Sequence, residues 1–174
     1  MPRAEGAWQR EVAPALTTGV VHVCKAFWPD FMADLQRLES VLSADERSRA
    51  SRFHQARDRQ RFIVAHGLLR RRLGHYLTRP AAAIRFEHNA FGKPSILDSA
   101  GLDFNLSHAG DLVLYAFACH AEIGVDVEVV RHDFPAADVA HDYFSPAEIA
   151  VLNSLPDNLK ARAFFDCLTR KEAW

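Results

Sequence analysis

The chain has 174 residues, 49% of them apolar and 25% charged, the proportions of a soluble globular protein with room for one domain or two small ones. No stretch approaches the ~18 apolar residues of a membrane span, and Met1-Pro2-Arg3-Ala4-Glu5-Gly6 lacks the apolar core of a secretory signal, so a cytoplasmic protein is expected. The net charge of −1 hides an asymmetry: residues 1–100 carry 16 Lys and Arg against 10 Asp and Glu, whereas residues 101–174 carry 5 against 12, a pattern that points to a site between the halves with an anion on one side and a metal on the other.

The first ~16 residues are unpatterned and read as loose. Residues 20–27 alternate and are β-branched, which predicts a strand. Residues 30–42 have helical spacing, with Phe31, Leu35, Leu38 and Leu42 on one face. Ser43-Ala44-Asp45-Glu46 has the form of a capping box and predicts a short helix. Residues 56–77 predict a long helix whose apolar face holds Phe62, Ala65, Leu69, Leu73 and Tyr76, with Pro80 ending it. Residues 83–88 read as a strand, followed by a turn over residues 89–94 and a short strand at 95–97. Residues 104–108 and 112–119 read as strands joined at Gly110-Asp111, and residues 123–130 as a further strand in which Gly124 permits close backbone approach. Ser145-Pro146-Ala147-Glu148 is a second capping box with proline at the first helical position. A helix follows through Ile149 and Leu152, and another runs from about Asn158 to the end.

Strand, Ser-x-x-Glu helix and long helix recur at a period of ~100 residues, which predicts an α/β (α+β) fold built as a pseudo-twofold pair of duplicated units. The expected division is a basic subdomain over residues 1–100 and a metal-binding subdomain over residues 101–174. The second unit lacks the strands that follow the long helix in the first, so it reads as incomplete.

Asp126 and Glu128 sit two apart on an apolar strand, so both carboxylates face one side. They form either a solvated strand face or paired oxygen ligands for a hard cation. Glu172 is either a third carboxylate for that site or a surface helix residue. His108 is either a phosphate donor or base, or a structural strand-end histidine. Gly92-Lys93-Pro94 sets a lysine in a rigid turn suited to an anion. Nine arginines between residues 47 and 72 favour phosphate contacts or nucleic acid, or form a solvated helix face. No aromatic platform or recognition-helix signature accompanies them, so no nucleic-acid partner is expected. Cys24, Cys119 and Cys167 are odd in number and set among apolar residues, as buried free thiols in a reducing compartment are.

Taken in order, Gly92-Lys93-Pro94, Phe104-Asn105-Leu106-Ser107-His108, Ile123-Gly124-Val125-Asp126-Val127-Glu128, and Phe164-Phe165 with Leu168-Thr169-Arg170-Lys171-Glu172-Ala173 resemble the Sfp-type 4′-phosphopantetheinyl transferase family. That family shows a Gly-Lys-Pro turn, Phe-Asn-x-Ser-His, Gly-x-Asp-x-Glu and Trp-x-x-Lys-Glu-Ala in this order, and the likeness spans roughly residues 43–174. The resemblance implies a pseudo-twofold pair of α/β units that moves the phosphopantetheine arm of coenzyme A onto a serine of an acyl, peptidyl or aryl carrier protein. It implies Asp126, Glu128 and Glu172 as Mg²⁺ ligands, and Glu172 as the base for the serine. It implies Ser107 and His108 at the pyrophosphate or ribose phosphate, Lys93 with Pro94 at the adenosine phosphates, and Arg49 and Arg61 at the 3′-phosphate. With the duplication it implies a monomer that needs no membrane.

Three departures stand out. Leu168 replaces the tryptophan of the last motif, Ala109 follows Ser107-His108 where serine is common, and the family's lysine four residues beyond the catalytic glutamate would fall at position 176, beyond Trp174. The alternative is therefore a truncated relative that binds coenzyme A or a carrier protein without turnover.

Overall fold

The computed structural model describes residues 15–88, 93–131 and 133–173. The opening stretch before residue 15 and the turn at residues 89–92 lie outside the described residues. The fold is mixed α/β. Strand β1 (Val21–Phe27) pairs antiparallel with β5 (Leu112–Cys119), which pairs antiparallel with β4 (Leu102–Ala109), in the order β1-β5-β4. Strands from either side of residue 100 thus share one sheet. A separate antiparallel pair joins β2 (Phe86–His88) to β3 (Pro94–Ile96).

The predicted helix over residues 30–42 divides. A 3-10 helix, Trp28–Asp34, with proline in its first turn, leads into α1 (Leu35–Ser40). Helix α2 (Ala44–Ser51) starts at Ser43 with both bonds of the capping box formed. Helix α3 (Ala56–Tyr76) follows as predicted and carries Phe62, Ile63, Leu69 and Leu73 into the main core. There they meet Phe104, Val113, Tyr115 and Phe117 from the sheet, each worth ~1.5–3 kcal/mol when fully buried. The buried Tyr115 hydroxyl donates to the Ala65 carbonyl at 3.0 Å, which ties β5 to the middle of α3. Helix α1 crosses α3 at Gly67, where a Cβ would lie 2.7 Å from that of Leu38, so the crossing needs glycine.

The strand expected over residues 83–88 is shorter. Residues Ala81–Ala83 form a 3-10 turn before β2. Arg70 explains this: its guanidinium donates to the carbonyls of Ala81 (3.2 Å) and Ile84 (2.8 Å) and curls the chain around itself.

A second core gathers Ala140, Phe144, Leu152, Phe164 and Phe165 from α4 (Ala136–Tyr143), α5 (Pro146–Ser154) and α6 (Asp157–Glu172). Helix α5 again begins with a complete capping box, at Ser145 and Glu148. Helix α4 was not foreseen in the sequence. Among the described residues no helix is long and apolar enough to cross a membrane.

Candidate active site

Strand β4 is an edge strand with two unlike faces. Leu102 and Phe104 are buried beneath it, while Asp103, Asn105 and Ser107 point to the other side. Along that polar side runs the segment expected to be a strand, residues 123–130. It is not one: it forms no backbone ladder. Its amides bond to side chains instead. Ile123 N donates to Asp103 Oδ2 (2.9 Å), Val125 N to Asn105 Oδ1 (3.1 Å) and Val127 N to Ser107 Oγ (3.2 Å). The constant offset of 20 residues and the step of two are those of an extended chain running parallel to β4. Interposed side chains hold it too far out for carbonyl-to-amide pairing.

Asp126 lies in this segment. Its Oδ1 accepts from the Ser107 hydroxyl at 2.6 Å. Its Oδ2 is buried and has no hydrogen-bond partner among the described residues. A buried, unpaired carboxylate oxygen is costly unless a cation completes it, so the donor set suits a hard divalent ion. Glu128 and Glu172 are both exposed, and no three His, Cys, Asp or Glu side chains among the described residues stand together as a ready metal cage.

Gly124 brings the end of α6 to this segment. A Cβ at Gly124 would lie 1.5 Å from the carbonyl oxygen of Ala173, the residue after Glu172. Only glycine admits that contact, which sets the helix end bearing Glu172 two residues from Asp126 along the segment.

The basic side lies across β4. His108 belongs to the face turned towards α3. Partial burial lowers its pKa, and the charge of Arg61 lowers it further. The imidazole is therefore neutral near pH 7 and offers one donor. Arg61 pairs with Asp58 at 3.1 Å. Arg49 stands over the ring of Phe62, 5.4 Å from its centroid, and Phe62 stacks on His66 at 4.0 Å. Lys93 donates to Asp103 Oδ2 (3.2 Å) and to the Ile123 carbonyl (3.0 Å), so it sits at the root of the Asp126 segment. Pro94 opens β3 directly after it.

The expected residues thus fall into two groups. Ser107 and Asp126 bond to each other on the polar side of β4, Lys93 is fixed to Asp103 and Ile123 on the same side, and Glu172 is near through Gly124. His108, Arg61 and Arg49 lie towards α3. The solvated reading holds for Arg47, Arg49, Arg52, Arg57 and Arg59, which are exposed, but not for Arg70, only 2% exposed, or for Arg72, which is buried. Arg70 is a core ion, bonded through Nε to Glu46 at 2.6 Å and stacked over Phe86. Arg57 and Arg59 bond to Asp111 (2.6 Å) and Glu39 (2.9 Å). Asp103 was not singled out in the sequence. Its signal is a polar residue at positions 103, 105 and 107 of a strand otherwise apolar over 102–106, 20 residues ahead of Ile123, Val125 and Val127, which interleave with the Gly-x-Asp-x-Glu motif.

Two family models match the chain. One, described as 4′-phosphopantetheinyl transferase, N-terminal, covers residues 26–120, and the other, the 4′-phosphopantetheinyl transferase superfamily, covers residues 122–174. The chain is 39% identical over 145 residues to the 4′-phosphopantetheinyl transferase HetI of Nostoc sp., covering 82% of this chain and 61% of that protein. It is 30% identical over 141 residues to the transferase ffp of Bacillus subtilis (81% and 62%). Against Sfp of the same species it is 27% identical over 139 residues (80% and 61%). The chain therefore spans about three fifths of the length of the curated relatives it matches. The chain belongs to the 4′-phosphopantetheinyl transferase superfamily, Sfp type.

Proposed function

We propose that this chain transfers the 4′-phosphopantetheine moiety of coenzyme A to a serine of an acyl, peptidyl or aryl carrier protein and releases 3′,5′-ADP. The observation that carries the reading is Asp126: one carboxylate oxygen held by Ser107, the other buried and unpartnered, with the α6 end against the same segment. Asp126, Glu128 and Glu172 would hold the magnesium ion. When bound, that ion neutralises the pyrophosphate and polarises it towards attack.

The chain's own residues do the remaining work. Ser107 keeps Asp126 oriented. Glu172 takes the proton from the carrier serine. The serine oxygen then bonds to the phosphorus that bears pantetheine, and the bond from that phosphorus to the bridging oxygen breaks, so the electron pair leaves with 3′,5′-ADP. Positioning and charge neutralisation supply most of the acceleration. His108 donates to the pyrophosphate, Arg49 and Arg61 hold the 3′-phosphate, and Lys93 with Pro94 meets the adenosine phosphates. Because His108 and Ser107 point to opposite faces of an edge strand, coenzyme A crosses that edge. Arginines exposed on the basic side attract an acidic carrier. A monomer in the cytoplasm accompanies this reading, in keeping with three free thiols.

Mass spectrometry of an apo carrier protein incubated with coenzyme A, Mg²⁺ and this chain tests the proposal. One phosphopantetheine mass is gained, and Asp126→Ala slows the gain by at least about 10³-fold, since a lost metal contact removes several kcal/mol. An unchanged carrier mass with the unsubstituted chain overturns the reading.

A further inference from the structure

The segment carrying Asp126 and Glu128 is held by three side chains, of which the proposed reaction uses only Ser107. Three outward side chains of β4 replace the carbonyls of a missing strand partner. Asp103 receives the amide of Ile123, Asn105 that of Val125 and Ser107 that of Val127. Ser107 also reaches the Asp126 carboxylate directly, so its contribution is mixed. Asn105 is different. It touches neither carboxylate. Its Oδ1 accepts the amide immediately before Asp126, at 3.1 Å, and it stands at the middle rung. Asp103 anchors the lower rung and shares Lys93 with the carbonyl of the same Ile123.

We infer that Asn105 is a positioning residue for Asp126: by holding the Val125 amide it fixes the peptide that aims the buried, unpartnered carboxylate oxygen at a divalent cation. This deepens the reading above and rests on it. The physical reason is that a segment outside the sheet has no ladder to set its register. Without the middle rung, the chain between Ile123 and Val127 can rotate its peptides, and the Asp126 carboxylate loses its fixed direction. Groups that orient a ligand from behind change metal affinity about 10- to 100-fold when removed.

The test uses two variants of the whole chain. Asn105→Leu keeps the branching and the number of side-chain heavy atoms and removes the acceptor. Asn105→Asp restores an acceptor oxygen at the same place. Mn²⁺ serves as the probe, since it takes the same oxygen ligands as Mg²⁺ and is counted directly by electron paramagnetic resonance. Binding is expected to weaken about 10-fold or more in Asn105→Leu and to return towards the original value in Asn105→Asp. Amide exchange should accelerate at Val125 in Asn105→Leu while the amides of α3 keep their protection, which separates loosened positioning from general unfolding.

Equal Mn²⁺ affinity in Asn105→Leu and the unsubstituted chain overturns the inference, even if the chain transfers phosphopantetheine. So does an unsubstituted chain that binds no Mn²⁺. Weakened binding in Asn105→Leu, rescued in Asn105→Asp, upholds it even if no transfer occurs, in which case the proposed reaction alone fails.

Discussion

Ser43 and Ser145 open their helices in the same way. Each hydroxyl accepts the amide three residues ahead, and each glutamate there returns a bond to the serine's own amide. Beyond that turn the two glutamates part. The Glu46 side chain is 13% exposed and faces Arg70 Nε at 2.6 Å and His66 Nδ1 at 3.4 Å. The Glu148 side chain is 37% exposed and meets Lys171 at 3.0 Å. Both carboxyls are pulled down to about 2, by different balances. Burial pushes Glu46 up, and bonds from His66 and the Ser43 amide together with the Arg70 charge outweigh it. For Glu148 the Ser145 amide acts first and Lys171 second, in water. The lesson is that four residues fix where a helix starts, while the rest of the chain decides whether the cap becomes part of the core.

The comparison breaks most sharply at the partner cations. Arg70→Met leaves a nearly buried carboxylate without its counter-charge and is expected to cost about 3–5 kcal/mol, read as a fall of roughly 10 °C in Tm. Lys171→Met removes the corresponding cation at the surface and is expected to leave Tm unchanged within error. Equal losses would show that burial does not distinguish the two caps.

An acid titration of stability sharpens the same contrast. Glu46 falls from 4.5 to about 2 on folding, so its contribution is complete above pH 4.5 and is lost as pH drops through about 2. A limb on the order of 2 kcal/mol should appear in that window and disappear in Glu46→Gln. Glu148→Gln should leave the limb almost intact, because water screens that group. A limb that survives Glu46→Gln would reassign it to other carboxylates.

The smallest effect tests what the two caps share. Ser43→Ala and Ser145→Ala should each cost about 1 kcal/mol in denaturant unfolding, since the local bond removed is the same. A much larger loss at Ser43 would mean that the Glu46 contacts need the cap to form.

What was legible in the sequence follows from range. The capping boxes, the long helix α3, the β4–β5 hairpin and the spacing of Asp126 are written in neighbouring residues, and local chemistry decides them. Arg70 could not be placed that way, because its partners lie in two distant stretches, Glu46 on one side and Ala81, Ile84 and Phe86 on the other. The extended segment after residue 122 looked like a strand because its apolar alternation is that of one; what replaced the ladder is a row of acceptors 20 residues earlier. Helix α4 begins after Pro135 with no side-chain cap, so it carries no start signal beyond that proline. At the candidate site, the pairing of Ser107 with Asp126 joins two motifs that the sequence displays separately. Lys93 was legible as a fixed cation, but its bonds to Asp103 and Ile123 were not.

The close contact at Gly124 has a practical side. Every acidic and basic group discussed above stands elsewhere, yet the carbonyl of Ala173 occupies the space that any side chain at position 124 would need. One methyl group there acts as a wedge between the last helix and the acid-bearing segment. Gly124→Ala thus offers a way to part these two elements without altering any charge, a control that carboxylate substitutions cannot provide.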